Sequence, residues 1–260
     1  MLEARLPQAA LLKKIVEALK EMVNESNFDC GDSGISMQAM DSAHIAMCSL
    51  LLRSEGFEPY RCDRVISLGL SFSSLSKVLK CAGNDDVVTL KAEDDADTLG
   101  LMFESPKEER VSQFDLKLMD IDSDHVSIPD QEYDCTVHLS SAEFARICRD
   151  LSTFGASVVL DATKEGIKFS ASGELGRGGI LLKQQGSVDD SSPTSTRIEM
   201  REPVSVTLSL KYLNIFTKAA PLSEVVTINM SSEIPVLFQF SIGDIGHIRF
   251  YLAPQIQEDD

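Results

Sequence analysis

The stretch DVVTL, residues 86–90, recurs as EVVTI at residues 224–228. The same spacing of 138 residues places Ser67, Leu70, Ser71, Leu75, Lys80 and Ala82 on Ser205, Leu208, Ser209, Leu213, Lys218 and Ala220. Earlier in the chain, a spacing of 132 residues places Ala10, Ile15, Leu19, Asp29, Gly34, Ile35, Ala39 and Leu50 on Ala142, Ile147, Leu151, Asp161, Gly166, Ile167, Ala171 and Leu182. Because an internal repeat of this length indicates a duplicated folding unit, we expect two copies of one domain.

Two segments fall outside the repeat. The polar stretch QQGSVDDSSPTST, residues 184–196, contains the residues that lengthen the spacing, and its composition is typical of a loop. The acidic stretch LMDIDSDHVSIPDQEYD, residues 118–134, matches neither copy. We therefore expect an N-terminal domain over residues 1–117, an interdomain connecting loop over 118–134 and a C-terminal domain over 135–260.

Each copy combines two helical patterns with several strand patterns. Helices are predicted at residues 10–23, at 72–81, from 140 onward and at 209–220. Gly83 is the expected C-cap of the second helix, Ser140 and Glu143 form a capping box for the third, and Pro221 ends the fourth. Alternating residues predict strands in RVSQFDLKL (110–118), IAMCSLLL (45–52), IKFSAS (167–172), PVLFQFSI (235–242) and HIRFYL (247–252). The predicted fold class is α+β, strand-rich, with two short helices per copy.

The composition excludes several classes of protein. A formal net charge of −17 argues against ordinary nucleic-acid binding, in which a basic surface supplies most of the affinity. The six cysteines show no C-x-x-C spacing, and Cys135 with His138 is an isolated candidate ligand pair, so we expect no metal and no cofactor. Neither a secretion signal nor a membrane span stands out in the sequence, so we expect an intracellular protein.

The basic residues are concentrated on the predicted helices, on the side opposite each apolar stripe. They are Lys13, Lys14, Lys20, Lys77, Lys80, Arg146, Arg149, Lys211 and Lys218. One such face is most simply a solvated surface, but four in an acidic chain favour contact with a polyanion. Phosphate contacts without base contacts allow sliding, and charges beyond about 10 Å are screened at 0.1 M salt, so the net charge does not forbid this contact.

Six longer motifs carry a resemblance to a known family. They are LRSEGFEPYRCDR (52–64), SKVLKCAGNDD (76–86), ADTLGLMFESP (96–106), EFARICRDLS (143–152), GIKFSASGELG (166–176) and YLAP (251–254). With them the chain resembles the eukaryotic DNA sliding clamps of the proliferating cell nuclear antigen family over essentially its whole length. The resemblance implies a nuclear, non-enzymatic polymerase processivity factor for DNA replication and repair. It also implies a homotrimer of six similar domains that encircles duplex DNA with its helices, and whose partners are DNA polymerase delta, the clamp loader replication factor C, flap endonuclease, DNA ligase and other PIP-box proteins.

The resemblance also implies two protein interfaces. The partner-peptide pocket would comprise Met40, His44, Ile45, Met47, Val126, Ile128, Pro129, Pro235, Tyr251, Leu252, Ala253 and Pro254. The trimer interface would pair residues 110–118 with 174–182 and comprise Cys81, Arg110, Phe114, Lys117, Leu151, Phe154, Leu175, Gly179 and Leu181. Phe114 stands where relatives often have tyrosine, so a hydroxyl hydrogen bond is absent there.

The resemblance implies one modification site. Lys164 matches the family's ubiquitin-acceptor lysine, whereas position 127, a second modified lysine in some relatives, is Ser127.

Two other functions are weighed against the clamp. The first is a peptide-binding scaffold without DNA. The second is a hydrolase using Asp29, Asp41 or His44, for which GDSG (31–34) is the nearest motif; because its repeat counterpart is TKEG (163–166), it indicates a turn instead. The segments DIDSD (120–124) and GELGRGG (173–179) lack the residues that a calcium loop or a phosphate loop requires.

Overall fold

The computed structural model describes residues 1–94, 97–107, 109–122, 131–184 and 194–255. The first copy contains β1 Leu2–Leu6, α1 Ala9–Leu19, β2 Glu25–Gly31, β3 Gly34–Met40, β4 Ala46–Arg53, β5 Tyr60–Cys62, β6 Ile66–Ser71, α2 Phe72–Leu79, β7 Val87–Ala92, β8 Thr98–Glu104 and β9 Val111–Lys117. The second contains β10 Cys135–Ser140, α3 Ser141–Leu151, β11 Ser157–Thr163, β12 Gly166–Gly173, β13 Gly176–Lys183, β14 Arg197–Met200, β15 Val204–Ser209, α4 Leu210–Phe216, β16 Val225–Met230, β17 Val236–Ile242 and β18 Gly246–Leu252. The order of helices and strands is the same in both copies, which confirms the α+β class and the duplication.

The chain forms two compact units. Unit 1 comprises Met1–Ser42, Cys48–Val126 and Ile242–Ile248, and unit 2 comprises Ala43–Met47, Ser127–Ser241 and Arg249–Asp260. Unit 1 contains the antiparallel sheet β5-β1-β7-β8-β9 and the strands β6-β2-β3-β4. Unit 2 contains β14-β10-β16-β17-β18 and the antiparallel sheet β13-β12-β11-β15.

Each unit includes a short segment that is distant in sequence, held by backbone hydrogen bonds. In unit 1, the Arg53 N–H donates to the Ile245 carbonyl at 2.7 Å. In unit 2, the Ala253 N–H donates to the Ile45 carbonyl at 3.2 Å. The C-terminal end of β4 is thus bonded within unit 1, and the residue that follows β18 is bonded within unit 2.

The helices cover the cores of the units because their apolar residues fall on one stripe. In α3 the buried stripe contains Phe144, Ile147, Cys148 and Leu151, as the sequence predicts. Phe144 stacks on Phe238 of the neighbouring sheet with ring centroids 5.6 Å apart. No helix in the described part of the chain has the length and apolar content needed to cross a membrane.

The helix N-termini follow the predicted capping. Ser140 is the N-cap of α3, and its hydroxyl accepts the Glu143 N–H at 3.3 Å. In the first copy Ser71 does the same for Ser74 at the start of α2, also at 3.3 Å. Each hydroxyl satisfies one of the backbone donors that a helix N-terminus leaves without a partner.

Three predicted helix ends are wrong. α1 ends at Leu19 and not at residue 23, and α2 ends at Leu79 with Lys80 as its C-cap, so Gly83 is not the cap. α4 ends at Phe216, and a 3₁₀ helix, Thr217–Leu222, follows it and includes Pro221. The proline ring would clash with the carbonyl four residues earlier in an α-helix, so the chain tightens into 3₁₀ geometry before it.

The GDSG segment is a hairpin turn, as its repeat counterpart predicts. Gly31 pairs with Gly34 across two turn residues, and Thr163 pairs with Gly166 in the second copy. A Cβ on Gly34 would lie 2.0 Å from the Leu52 carbonyl oxygen, and one on Gly166 would lie 2.3 Å from that of Leu182. Glycine is therefore kept in both copies because the next strand approaches the turn closely.

Candidate functional site

The predicted basic side chains lie on the outer surfaces of the helices. Those exposed to solvent are Lys14, Lys77, Lys80, Arg146, Arg149, Lys211 and Lys218, while Lys13 and Lys20 are half-buried. In each unit the two helices pack against each other, with α1 beside α2 in unit 1 and α3 beside α4 in unit 2. Each unit therefore presents one helical layer with cationic groups on its outer side.

Two of the α1 lysines are engaged within unit 1. The Lys13 ammonium donates to the Ala82 carbonyl at 2.5 Å and to Asn84 Oδ1 at 3.2 Å. Lys20 lies 2.7 Å from the Glu17 carboxylate, and this hydrogen bond lowers the pKa of Glu17. Both lysines therefore hold local structure in addition to contributing positive charge.

The α3 arginines share one carboxylate. Arg146 Nε lies 3.7 Å and Arg149 Nε 3.5 Å from Asp150. Both guanidinium groups are about two-thirds exposed or more, at 66% and 72%. Ion pairs this exposed contribute little, so the arginines can exchange Asp150 for another anion.

Helices α2 and α4 contain lysines without acidic residues. Lys77 belongs to α2 and Lys80 caps it, Lys211 belongs to α4 and Lys218 follows it, and neither helix contains aspartate or glutamate. The sequence alone does not distinguish among the nine basic residues. In the structure, these four differ from Lys13 and Lys20, which form hydrogen bonds or ion pairs within unit 1. These four exposed lysines therefore supply the positive charge of the α2 and α4 surfaces.

Several residues predicted for the trimer interface lie on or beside two outer strands. β9 is the last strand of its sheet and β13 is the last strand of another. Val111 on β9 is 54% exposed and Leu181 on β13 is 49% exposed, although both are apolar. Within the described residues, these strands thus present an edge with apolar side chains, which is a typical site of strand pairing with another chain.

The remaining trimer-interface residues fall into two groups. Those exposed or half-buried are Cys81, Arg110, Phe114, Lys117, Phe154, Leu175 and Gly179. Leu151 is buried at 2% exposure, so it supports the surface from below. A Cβ on Gly178 would lie 3.1 Å from the Phe154 ring, which shows that this ring covers β13 closely.

A separate apolar cluster lies in unit 2 where the resemblance places the peptide pocket. Met47, Leu237 and Tyr251 pack together, and the half-buried Tyr133 packs against them. Ile45 is 45% exposed and its carbonyl holds the Ala253 N–H. We call these five apolar residues, Ile45, Met47, Tyr133, Leu237 and Tyr251, the apolar cluster. Burial beside Tyr251 raises the pKa of Tyr133, so its hydroxyl stays neutral at physiological pH.

The other predicted pocket residues have different surroundings. His44, Pro235 and Ala253 are exposed and Pro254 is half-buried, all in unit 2, while Met40 is exposed in unit 1. Leu252 is fully buried, so its side chain offers no surface to a peptide. Val126, Ile128 and Pro129 lie outside the described residues, as does Ser127.

Sequence reasoning missed Tyr133 and Leu237. Tyr133 lies in the stretch assigned to the connector, where its aromatic ring among acidic residues was the available signal. Leu237 is the middle of three consecutive buried residues on β17, Val236–Phe238, which breaks the alternation of a half-exposed strand. Such a run indicates that both faces of the strand are covered.

Asp29, one of the residues considered for hydrolysis, belongs to a structural pair that both copies contain. Ser67 donates to Asp29 at 2.5 Å, and in the second copy Ser205 donates to Asp161 at the same distance. Each pair lies directly across neighbouring strands. Because both copies keep the pair and neither includes a histidine, we assign it to strand pairing and not to catalysis.

Two further predicted features are located by the structure. Lys164 is exposed in the two-residue turn between β11 and β12, where its ammonium is accessible. Among the described residues, no group of three or more histidine, cysteine, aspartate or glutamate side chains could hold a metal ion.

Comparison with protein families gives two matches that together span the chain to residue 255. The N-terminal domain of proliferating cell nuclear antigen matches residues 1–126, and the C-terminal domain of proliferating cell nuclear antigen matches residues 127–255. The two matches repeat the division into two copies that the internal spacing predicts and confirm the resemblance. The chain therefore belongs to the proliferating cell nuclear antigen family of DNA sliding clamps.

Proposed function

We propose that this sliding clamp closes as a homotrimer around duplex DNA, keeps polymerases on their template and docks replication and repair enzymes in the nucleus. The observation that carries the proposal is the set of lysines on α2 and α4, which have no acidic residue on the same helix. One pair occurs at corresponding places in the two copies, since Lys80 aligns with Lys218. Because they face outward from helices in an otherwise acidic chain, they are suited to phosphate contact without base recognition.

Ring closure is supported by the correspondence between the strands of the two copies. β13 has the same place in the second copy as β4 has in the first, and β9 corresponds to β18. β4 and β18 are tied by the Arg53–Ile245 and Ala253–Ile45 hydrogen bonds. Pairing β9 of one chain with β13 of the next would repeat that arrangement, and a head-to-tail contact of this kind builds rings when its rotation closes. With three chains, as the family resemblance implies, the proposed ring contains six copies.

Partner docking is supported by the apolar cluster of unit 2. A short peptide with aliphatic and aromatic anchors can cover these side chains while the backbone of Ala253 and Pro254 offers polar groups. Each buried anchor contributes about 1.5–3 kcal/mol, against the free energy spent on ordering the peptide. The affinity should therefore be moderate, which suits exchange among DNA polymerase delta, replication factor C, flap endonuclease and DNA ligase. Lys164, exposed on a turn, is the proposed site of ubiquitylation.

The ring proposal predicts a dependence on DNA ends. We expect a particle of three chains, each of 28.5 kDa, that stays on nicked circular DNA after loading and leaves the same DNA once it is linearised. Light scattering gives the mass, and gel filtration of loaded DNA before and after cutting gives the retention. Equal retention on both forms, or a stable monomer at micromolar concentration, contradicts encirclement. The alternative, a peptide-binding scaffold without DNA encirclement, predicts peptide binding with no retention on either form.

The peptide proposal predicts a loss of binding without a loss of the trimer. Replacing Ile45 or Ile128 with alanine should weaken a Gln-x-x-aliphatic-x-x-aromatic-aromatic peptide by about tenfold or more, because each change removes apolar contact area. Val65→Ala is the matched control, since Val65 is 77% exposed and lies outside every surface proposed here. Titration by fluorescence anisotropy measures the effect. If Ile45→Ala and Ile128→Ala bind as tightly as Val65→Ala, the peptide docks elsewhere.

A further inference from the structure

The start of the connector is fixed to unit 1 by hydrogen bonds. We call residues 118–121 the connector start. The Leu118 N–H donates to the Asp97 carbonyl at 2.8 Å, and the Met119 N–H donates to the Gly69 carbonyl at 2.9 Å. The Asn27 side-chain amide donates to the Ile121 carbonyl at 2.9 Å. Three of four consecutive residues are therefore bonded to other parts of unit 1.

Two residues form the seat for this segment. Gly69 on β6 makes a β-bridge with Met119, and a Cβ at Gly69 would lie 1.9 Å from the Met119 carbonyl oxygen. Asn27 lies directly opposite Gly69 on β2 and is 8% exposed. We call this pair the connector seat. Gly69 allows the close approach, and Asn27 supplies a side-chain donor nearly shielded from water, where a hydrogen bond is costly to lose.

The second copy shows which part of this arrangement belongs to the fold. Position 69 corresponds to Thr207, whose carbonyl accepts the Gln255 N–H at 2.8 Å. Ser157 Oγ donates to Gln255 Oε1 at 2.7 Å. Both copies thus dock the segment that follows their last strand, β9 or β18. The residue that corresponds to Asn27 is Val159, so the side-chain bond to the connector is particular to unit 1.

The other end of the connector is also held. The Asp134 N–H donates to the Met230 carbonyl at 3.1 Å and to Ser231 Oγ at 2.9 Å, and the Arg201 N–H donates to the Asp134 carbonyl at 2.8 Å. The connector is thus held by hydrogen bonds at Ile121 to unit 1 and at Asp134 to unit 2. Among the bonds that hold the connector start, the one from Asn27 is made by a side chain and can be removed by substitution.

We propose that Asn27 and Gly69 are positioning residues for partner-peptide recognition. By holding the connector start, they limit the conformations open to the connector residues that the proposed function assigns to the peptide pocket. A connector start held by fewer hydrogen bonds has more conformational freedom to lose when a peptide binds, which weakens the affinity. The inference rests on the proposed peptide docking, but the seat itself is testable without any peptide.

Two variants of Asn27 test the seat. Asn27→Asp keeps the size of the side chain and removes the hydrogen-bond donor. If the nearly buried carboxylate of that variant prevents folding, Asn27→Ala is used instead, since it removes the polar group altogether. Hydrogen–deuterium exchange of the segment containing Met119 reports the seat directly, and peptide titration reports recognition. We expect both the exchange rate and the peptide Kd to rise by about three- to tenfold, because this is the change that the loss of one hydrogen bond produces. Trimer mass and thermal unfolding identify a variant that has not folded.

Matched controls locate the effect. Ser36→Ala changes an exposed hydroxyl on the neighbouring strand β3 and should leave both readouts at the wild-type value. Ser157→Ala should speed exchange at Gln255 and leave Met119 unchanged, because it removes a side-chain bond to the segment that follows β18.

The outcomes separate the seat from the proposed function. Unchanged exchange at Met119 in both Asn27 variants overturns the seat. Faster exchange with an unchanged peptide Kd overturns the positioning role. A wild-type protein that binds no peptide overturns the proposed docking and with it the positioning role, whereas the exchange comparison still decides whether the seat exists.

Discussion

Replacing Val111 and Leu181 together with aspartate should convert the trimer to a monomer. Both side chains are about half-exposed on outer strands, Val111 on β9 and Leu181 on β13. If these strands pair between chains, each seam buries one side chain of each kind, and each contributes about 1.5–3 kcal/mol. The variant replaces this gain with two carboxylates that lose water on burial in the seam, which costs several kcal/mol more. The dissociation constant of each seam should therefore rise by more than about a thousandfold.

Light scattering at micromolar concentration measures the change, and its control is Val65→Asp. Val65 is more exposed than either seam residue, at 77%, and lies outside both outer strands. The control adds the same kind of charge to an apolar surface site, so it should remain a trimer. Far-ultraviolet circular dichroism checks that the double variant keeps its strands. A folded double variant that is still a trimer would show that β9 and β13 do not form the seam.

The sequence predicts the parts of the fold that depend on periodic burial. The duplicated order of helices and strands follows from the repeat, and the stripe of α3 is buried as its spacing requires. The helix ends are less predictable because they depend on the residues that follow them. Lys80 caps α2 although Gly83 is nearby, and Pro221 is accommodated in a 3₁₀ helix instead of ending one.

The candidate surfaces depend on tertiary contacts that no local pattern encodes. Lys13 and Lys14 are adjacent and look equivalent in the sequence, but only Lys13 reaches the Ala82 carbonyl. Leu252 lies in a motif that the family uses for peptide binding, and yet its side chain is fully buried. Tyr133 belongs by sequence to the connector, whereas it packs against the cluster of Met47, Leu237 and Tyr251 in unit 2. These differences arise because strand neighbours distant in sequence decide which face of a residue is covered.

Reversing the charge of four helix lysines should abolish most loading on DNA without dissociating the trimer. Lys77, Lys80, Lys211 and Lys218 are exposed, and no acidic residue shares their helices α2 and α4. With glutamate at all four positions, a trimer would present twelve additional anionic groups to the phosphates in place of twelve cationic ones. Each phosphate contact contributes to the salt-dependent affinity, so the number of clamps loaded on nicked circular DNA should fall by more than about tenfold at physiological salt. The fold should remain, since exposed charges change stability little.

The control for this prediction changes the net charge equally at other sites. Glutamate at Arg61, Lys91, Lys164 and Arg197 alters four exposed residues that belong to strands or turns and not to the helices. Loading by replication factor C, followed by gel filtration, compares the two variants with wild type. If net charge alone governed the contact with DNA, both variants would fail equally. Since the field near a duplex depends on charges within about one Debye length, about 8 Å at physiological salt, the control should load as wild type does. Normal loading of the helix variant would instead place the DNA against a surface other than the helices.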